Sequence, residues 1–282
     1  QASLPIEIVI VDEANPSLRL SNVLISNKTP YEIEINGEVD NKQFKVLPSA
    51  VEWTIEDNTI CNIDEDGILH AIKNGTTTVH GKLGETTMTL NVQVELVDTD
   101  VLLWENMVEV DERWTLKASS SSWKTDIKTD ADGGAYLYMN YSGGRVVQLS
   151  LTADTLLYST PKHLEFKFTP QGELMTRVDL GFVTNNGIDG NYACIELTPN
   201  QPMSIHIDLD SLFNVKDDIA IYPIKLKNIS FSLNKDAAKQ EYNIPFEGIY
   251  LRYADKVETG LECIPNPSQQ GDSAYKMLHN GQ

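Results

Sequence analysis

The stretch from Val51 to Val94 constrains the fold most, because it alternates apolar and polar residues between tight-turn dipeptides. Asp66-Gly67 and Asn74-Gly75 are such dipeptides, in which glycine tolerates the positive φ that other residues avoid. Short alternating strands at this spacing are typical of an antiparallel β-sandwich. The sequence therefore predicts an all-β fold for this region.

The charge of the chain limits its partners. The formal net charge is −19 over 282 residues. Nucleic acids and anionic membranes are polyanions, so we expect neither as a partner. No apolar run reaches the length of a membrane span, and no signal peptide is visible, so we expect a mature form or a fragment that begins at a cut end, Gln1.

The cysteines carry no metal or disulfide signature. Cys61, Cys194 and Cys263 lie far apart and form no C-x-x-C pair. Cys61 and Cys194 fall in strand patterns, where we expect buried, unreactive thiols.

The first part of the chain has the order W…D-G-I…A-x-x-x-G-T-T-x-V…G…V-x-V, which starts at Trp53 and ends at Val94. This order resembles the bacterial immunoglobulin-like domain of adhesins and multidomain surface enzymes. The resemblance implies a β-sandwich over residues 1–98 that spaces and displays its neighbours and has no chemistry of its own. Its early strands are predicted at Leu4 to Asp12 and at Tyr31 to Val39, the second with a turn at Asn36-Gly37.

The rest of the chain is predicted to form a second sandwich over residues 99–255. It contains a W-E-N sequence at Trp104, an L-x-F-x-F strand after a proline turn, I-x-I-D-L-D-S-L-F, I-x-F-S-L and a closing G-I-Y-L-R-Y strand. These features resemble the carbohydrate-binding and galactose-binding-like jelly rolls of secreted glycosidases. The strand candidates are 135–141, 146–151, 163–169, 177–183, 192–197, 203–209, 227–233 and 248–253.

Residues 256–282 lose the strand pattern and resemble the start of a C-terminal sorting tail of secreted, multidomain surface proteins. The order of Ig-like domain, jelly roll and tail resembles the C-terminal accessory region of secreted phosphodiester glycosidases. That resemblance implies an exported or cell-surface bacterial protein. No part of the chain matches the catalytic domain of that family, so the activity does not transfer.

The aromatic side chains of the second domain are the candidates for sugar binding, because flat rings stack against the C–H face of a pyranose. Trp123 is the first candidate, since its S-S-S-S-W-K context predicts an exposed loop, whereas Trp104 and Trp114 are expected to pack in the core. Tyr136 and Tyr138 alternate on one strand and are predicted to share one face. Candidate hydroxyl donors near that face are Arg145 and Arg177.

Asp130 and Asp132 precede a glycine turn in the sequence D-A-D-G-G. Such loops offer Ca²⁺ several oxygen ligands, although the last glutamate of an EF-hand loop is missing here. A structural calcium ion is one interpretation, and the resemblance to jelly-roll modules supports it. A solvated turn is the other.

The search for a catalytic motif finds none. The five histidines are scattered, with neither H-E-x-x-H nor G-x-S-x-G in the sequence, and the spacing of the carboxylates selects no glycosidase pair. We therefore expect a non-catalytic accessory region, in which the first domain acts as a spacer and the second binds a glycan or packs on a neighbouring catalytic domain. An adhesin or structural surface protein with protein contacts is the alternative, and an enzyme comes third.

Overall fold

The computed structural model describes residues 15–108, 113–194, 196–212, 221–254, 261–262 and 264–265. The chain divides into two compact units, residues 1–97 and 98–282. The predicted strand at Leu4 to Asp12 lies outside the described residues. So does the predicted tail at 256–282, apart from residues 261–262 and 264–265.

From residue 15 onward, unit 1 contains ten short strands and a single turn of 3-10 helix at Pro48–Ala50. The strands are β1 (Ser17–Leu18), β2 (Asn22–Ile25), β3 (Tyr31–Glu32), β4 (Ile35–Val39), β5 (Lys42–Val46), β6 (Glu52–Ile55), β7 (Cys61–Ile63), β8 (Ile68–Ala71), β9 (Gly75–Leu83) and β10 (Thr86–Val94). They form three sheets in the orders β1-β4-β5, β2-β10-β9-β6 and β3-β8-β7.

The hairpin of β9 and β10 is the longest pairing in the described part of unit 1. Its turn lies at Gly84, whose φ is +60°, and the register pairs Leu83 with Thr86. Leu90 and Val92 are buried on alternate positions of β10, while the intervening residues are exposed, as expected for a strand with one core face. The alternation that predicted this hairpin is confirmed.

One turn prediction in unit 1 is wrong. Asn36 and Gly37 lie within β4, and the chain reverses at Asp40 and Asn41, which have φ values of 50° and 62°. Gly37 is needed for a different reason, since a Cβ atom there would lie 2.4 Å from the ring of Phe44 on the neighbouring strand. The glycine makes room for an aromatic ring that crosses the hairpin.

Unit 2 contains thirteen strands and one short helix, α1 (Leu209–Leu212), in its described residues. The strands are β11 (Val101–Glu105), β12 (Trp114–Ala118), β13 (Thr125–Thr129), β14 (Ala135–Asn140), β15 (Gln148–Leu156), β16 (His163–Phe168), β17 (Met175–Val183), β18 (Asp189–Cys194), β19 (Met203–Asp208), β20 (Lys225–Leu233), β21 (Glu241–Arg252), β22 (Leu261–Glu262) and β23 (Ile264–Pro265).

These strands form two sheets. Sheet A has the order β13-β14-β21-β16-β19-β22, with β11 also paired to β21, and sheet B has the order β12-β15-β20-β17-β18-β23. Phe166 and Phe168 of sheet A lie 6.2 and 5.7 Å from the Phe231 ring of sheet B, measured between ring centroids. All three rings are fully buried, and each contributes about 1.5–3 kcal/mol by leaving water. The two sheets therefore enclose the core of a β-sandwich.

The prediction of an all-β chain with a jelly-roll sandwich is confirmed. Each strand candidate of the second domain overlaps an observed strand, but β21 starts seven residues earlier than predicted, at Glu241 instead of Gly248. Cys61 and Cys194 are buried, as expected. In the residues that the structure describes, no helix has the length and apolarity to cross a membrane.

Candidate functional site

Trp123 is not an exposed platform, so that prediction is wrong. Its side chain is only 5% exposed. The indole nitrogen donates a hydrogen bond to the Gly143 carbonyl at 3.1 Å, and the ring packs edge-on against Tyr141 with centroids 4.9 Å apart. The serine-rich sequence does form a loop, but the ring turns inward and packs against Tyr141.

Trp114 is also buried, as expected. Its indole nitrogen donates to Glu105 Oε2 at 2.8 Å, and Trp104 packs edge-on against its ring. Glu105 Oε1 accepts the backbone N–H groups of Asn106 and Met107 at 2.9 Å each. The W-E-N sequence therefore fixes the end of β11. Trp104 itself is half-buried, so the expectation that it packs in the core is met only in part.

Arg177, one of the two arginine candidates, does not lie beside the tyrosines. Arg177 is on the outer face of sheet B, where its Nε and Nη2 atoms bind the Asp179 carboxylate at 2.8 and 2.5 Å. Arg145 is exposed in the connection between β14 and β15. The prediction that Arg177 donates to a sugar beside the tyrosines is wrong, because sequence alternation does not tell which sheet a strand joins.

Tyr136 and Tyr138 lie on one face, as the alternation predicts. Ala135, Leu137 and Met139 of the same strand are buried in the core, so both tyrosines are on the outer face of sheet A and are half-buried. The register places Lys128 and Pro245 on either side of Tyr136, and Asp126 and Asn243 on either side of Tyr138. We call these six residues, Asp126, Lys128, Tyr136, Tyr138, Asn243 and Pro245, the tyrosine face.

The two rings of the tyrosine face differ in how they are held. The Tyr138 hydroxyl donates to Glu241 Oε1 at 2.8 Å, and this hydrogen bond is the main cause that raises the pKa of Tyr138. Lys128 Nζ lies 3.7 Å from the centroid of the Tyr138 ring. Tyr136 has no hydrogen bond or ring contact with the described part of the chain. Tyr136 is therefore the open ring of the pair.

Further along the same outer face is a group of polar side chains, which we call the ionic cluster: Glu165, Lys167, Ser204, His206 and Arg252. Glu165, His206 and Arg252 are buried, and the other two are half-buried. Glu165 Oε2 accepts hydrogen bonds from Arg252 Nε at 2.9 Å and Nη2 at 2.5 Å. Glu165 Oε1 accepts from the Ser204 hydroxyl and lies 3.3 Å from Lys167 Nζ. Lys167 in turn lies over the ring of Tyr250, 4.7 Å from its centroid.

The ionic cluster keeps Glu165 charged. Burial raises the pKa of Glu165, but the hydrogen bonds from Ser204 and Arg252 and the nearby positive charge outweigh it, so that the pKa is lowered overall. For His206, burial is the main cause of a lowered pKa, and the charge of Glu165 opposes it. Glu165 is therefore ionised and His206 neutral at pH 7.

Ser204 and His206 do not form a catalytic triad. The Ser204 hydroxyl lies 3.2 Å from His206 Nε2, but it donates to Glu165, which lies on the same side of the imidazole. His206 Nδ1, the atom that the acid of a triad would bind, has no hydrogen-bond partner among the described residues. The base is thus neither oriented by an acid nor positioned to accept the serine proton.

The described carboxyl groups with displaced pKa values are also unsuited to acid catalysis. Each of them, Glu34, Glu56, Asp57, Asp64 and Glu165, has a lowered pKa. A glycosidase needs one carboxyl group with a raised pKa to protonate the leaving group. None of these five meets that requirement.

Asp130 has a structural use in the turn between β13 and β14. Its Oδ1 atom accepts the backbone N–H groups of Asp132 and Gly134 at 2.9 and 2.8 Å. Asp132 is exposed, and within the described ranges no three His, Cys, Asp or Glu side chains cluster around a possible metal position. A calcium ion at Asp130 and Asp132 stays a prediction that only a metal-binding measurement can test.

Several residues of the outer face were not found from the sequence. β13 has a weak strand pattern, T-D-I-K-T, so Lys128 and Asp126 were not recognised as neighbours of the tyrosines. Asn243 and Pro245 lie in E-Y-N-I-P-F-E, where apolar residues alternate with exposed ones. That alternation was the available signal for extending β21 across the whole face.

The chain matches no protein-family model and no curated protein. Among solved structures it is similar to carbohydrate-binding modules of the β-sandwich superfamily, with a TM-score of 0.38 and 11% identity over 85% of this chain and 98% of the other. The family 11 carbohydrate-binding module of a cellulosomal cellulase of Clostridium thermocellum gives 0.36 and 13%, over 56% and 97%. An agarase gives 0.36 and 10%, over 57% of this chain and 25% of the agarase. TM-scores below 0.5 carry no functional argument. The function therefore has to be argued from the chemistry of the tyrosine face.

Proposed function

We propose that unit 2 binds a carbohydrate on the tyrosine face, as a non-catalytic module of an exported protein. The observation that carries the proposal is the half-buried ring of Tyr136, which has no hydrogen bond or ring contact with the described residues and lies between Pro245 and Lys128 on a sheet face. Proteins usually hold a sugar by stacking its ring on an aromatic side chain, while adjacent polar groups form hydrogen bonds with its hydroxyl groups.

The strands on either side of β14 supply the polar groups that such a site needs. Asn243 is an exposed carboxamide with both donor and acceptor capacity, and Asp126 adds carboxylate acceptors. Both are in register with Tyr138 on adjacent strands, so their side chains rise from the same face. Sugar hydroxyl groups, which donate and accept, match this mixture.

An accessory role beside a catalytic domain, and export of the protein, belong to the same proposal. They rest on the order of the sequence features, namely an Ig-like pattern followed by a jelly-roll pattern. The Ig-like assignment of unit 1 and the glycosidase resemblance are also proposals. In this account unit 1 spaces unit 2 from the rest of the protein.

A surface that binds another protein is the second candidate, in keeping with an adhesin or a docking module. Val101 and Leu103 on β11 are 38% and 47% exposed, and the register places Leu103 beside Tyr250 on the outer face of sheet A. Exposed apolar side chains grouped on one strand favour protein contacts. This patch is separate from Tyr136, so substitutions distinguish the two functions.

The test is a glycan-array screen of the full 282-residue chain, followed by titration calorimetry with the best glycan. Tyr136→Ala removes the open ring and is expected to weaken binding at least about tenfold, equivalent to about 1.4 kcal/mol. Tyr136→Phe keeps the ring and should retain most of the affinity. Arg177→Ala, on the opposite sheet, should change nothing.

Two results would count against a glycan site on this face. One is the absence of binding to any glycan on the array. The other is binding that Tyr136→Ala leaves intact. If Leu103→Asp then abolished capture of a purified partner protein, the docking function would be the better account.

A further inference from the structure

The side chain of Lys128 occupies part of the tyrosine face. Lys128 is on β13, in register with Tyr136 and diagonal to Tyr138 on β14. Diagonal neighbours on one face are within reach of long side chains. Its ammonium group lies over Tyr138, 3.7 Å from the ring centroid, well inside the range of a cation–π interaction.

Tyr138 is also fixed at its other end. Its hydroxyl donates to Glu241 at 2.8 Å, so the ring cannot swing away from the lysine without losing that hydrogen bond. The face of Tyr138 under Lys128 is consequently not available for stacking, whereas Tyr136 has no such contact. A sugar that used both rings would have to displace the ammonium group.

From this geometry we infer that Lys128 limits the length of glycan that the tyrosine face binds. Its ammonium group competes with the sugar for the ring of Tyr138. The inference rests on the proposed function. The two tyrosines are two residues apart on one strand, or about 6.6 Å. With Lys128 in place, a glycan stacks on Tyr136 alone. With Lys128 displaced, a longer glycan stacks on both rings.

The free energy of the contact between Lys128 and Tyr138 sets the size of the expected effect. A cation–π contact at an exposed site is worth about 0.5–1 kcal/mol. Removing it should therefore tighten binding of a ligand that reaches Tyr138 by about two- to five-fold, and should give no such gain for a ligand that reaches only Tyr136. This length dependence separates removal of a competitor from a general change in charge.

The test uses the full chain and a fixed set of probes: mono-, di- and tetrasaccharides of the β-1,4-glucan, β-1,4-mannan and β-1,4-galactan series, measured by titration calorimetry. Lys128→Ala is expected to bind the tetrasaccharide of the recognised series about two- to five-fold more tightly than the wild type, with no gain for the monosaccharide. Lys128→Arg, which keeps a cation over the ring, should resemble the wild type. Lys117→Ala on sheet B is the control for the loss of one positive charge.

A second measurement needs no binding constant. In the free protein, the side-chain methylene protons of Lys128 should be shifted upfield in the NMR spectrum by the Tyr138 ring. Tyr138→Leu should abolish this shift, and a saturating tetrasaccharide should reduce it.

The outcomes separate the inference from the proposed function. If neither these probes nor any glycan on the array binds to the wild type or to Lys128→Ala, both are overturned. If the tetrasaccharide binds and Lys128→Ala binds it equally or more weakly, only the inference fails, and Lys128 is then a residue that contacts the sugar. An unshifted Lys128 methylene signal in the free protein would also overturn the inference.

Discussion

Loss of the carboxylate at Glu165 should destabilise unit 2 strongly. The side chain is 3% exposed and its ion-pair partner Arg252 is 8% exposed, with Nη2 2.5 Å from Oε2. Glu165→Leu leaves the guanidinium buried without its counter-charge, and breaking a buried pair in this way costs about 3–5 kcal/mol. Ser204 also loses the acceptor of its hydroxyl group. We therefore expect a loss near the upper part of that range.

Two further variants show whether the uncompensated charge is the cause. The double variant Glu165→Leu, Arg252→Met replaces the whole pair by apolar side chains, and should be more stable than the single variant, because no charge is left alone. Asp154→Ala breaks an ion pair with Lys225 that has a similar distance, 2.9 Å, but side-chain exposures of 81% and 35%. That change should cost at most about 1 kcal/mol.

The assay is urea unfolding of the full chain, monitored by tryptophan fluorescence. This signal reports on unit 2, because Trp104, Trp114 and Trp123 all lie there. Stability differences are read from the midpoint shift at constant slope. A loss of stability for Glu165→Leu no larger than that for Asp154→Ala would refute a role for the buried, unpaired charge. A double variant as unstable as the single one would show that packing, and not charge, sets the loss.

The remaining predictions concern pH and packing. Burial lowers the pKa of His206. The unfolded chain therefore takes up a proton near pH 6.5 that the folded chain does not. Unit 2 should consequently lose stability as the pH falls below about 6.5. His206→Gln should flatten that slope in urea unfolding between pH 7 and 5, and an unchanged slope would contradict the assignment. In unit 1, a Cβ atom at Gly81 would lie 2.5 Å from Trp53 Cζ3. Gly81→Ala should cost about 1–3 kcal/mol by overpacking, measured by thermal unfolding, and a change below about 0.5 kcal/mol would show that the indole moves freely.

Local alternation predicted the fold class and the shared face of Tyr136 and Tyr138, because side chains two residues apart on a strand lie on the same side whatever the strand pairs with. It failed for Asn36-Gly37, where a dipeptide typical of turns lies inside a strand. There the neighbouring Phe44 ring requires the glycine, and the ring belongs to another strand. Local pattern thus predicts elements better than it predicts their neighbours.

The site was harder to predict, because its contacts join distant parts of the sequence. Glu165 meets Arg252 across 87 residues, and Tyr138 meets Glu241 across 103. Trp123 shows the second difficulty. The serine-rich context predicted its loop correctly, but the direction of the indole depends on the Gly143 carbonyl, which the loop sequence does not reveal.

The position of β21 in sheet A has a consequence for how the protein folds during synthesis. This strand pairs with β11, β14 and β16, so it holds together strands that begin 140 residues earlier in the chain. Sheet A cannot assemble until residue 252 has left the ribosome. The aromatic residues of the core remain exposed to water until then. Long-range pairing of this kind folds slowly and exposes strand edges. Unit 1 ends at residue 97, so it can fold well before residue 252 is synthesised. The growing chain therefore carries a folded unit 1 while unit 2 is still unfolded.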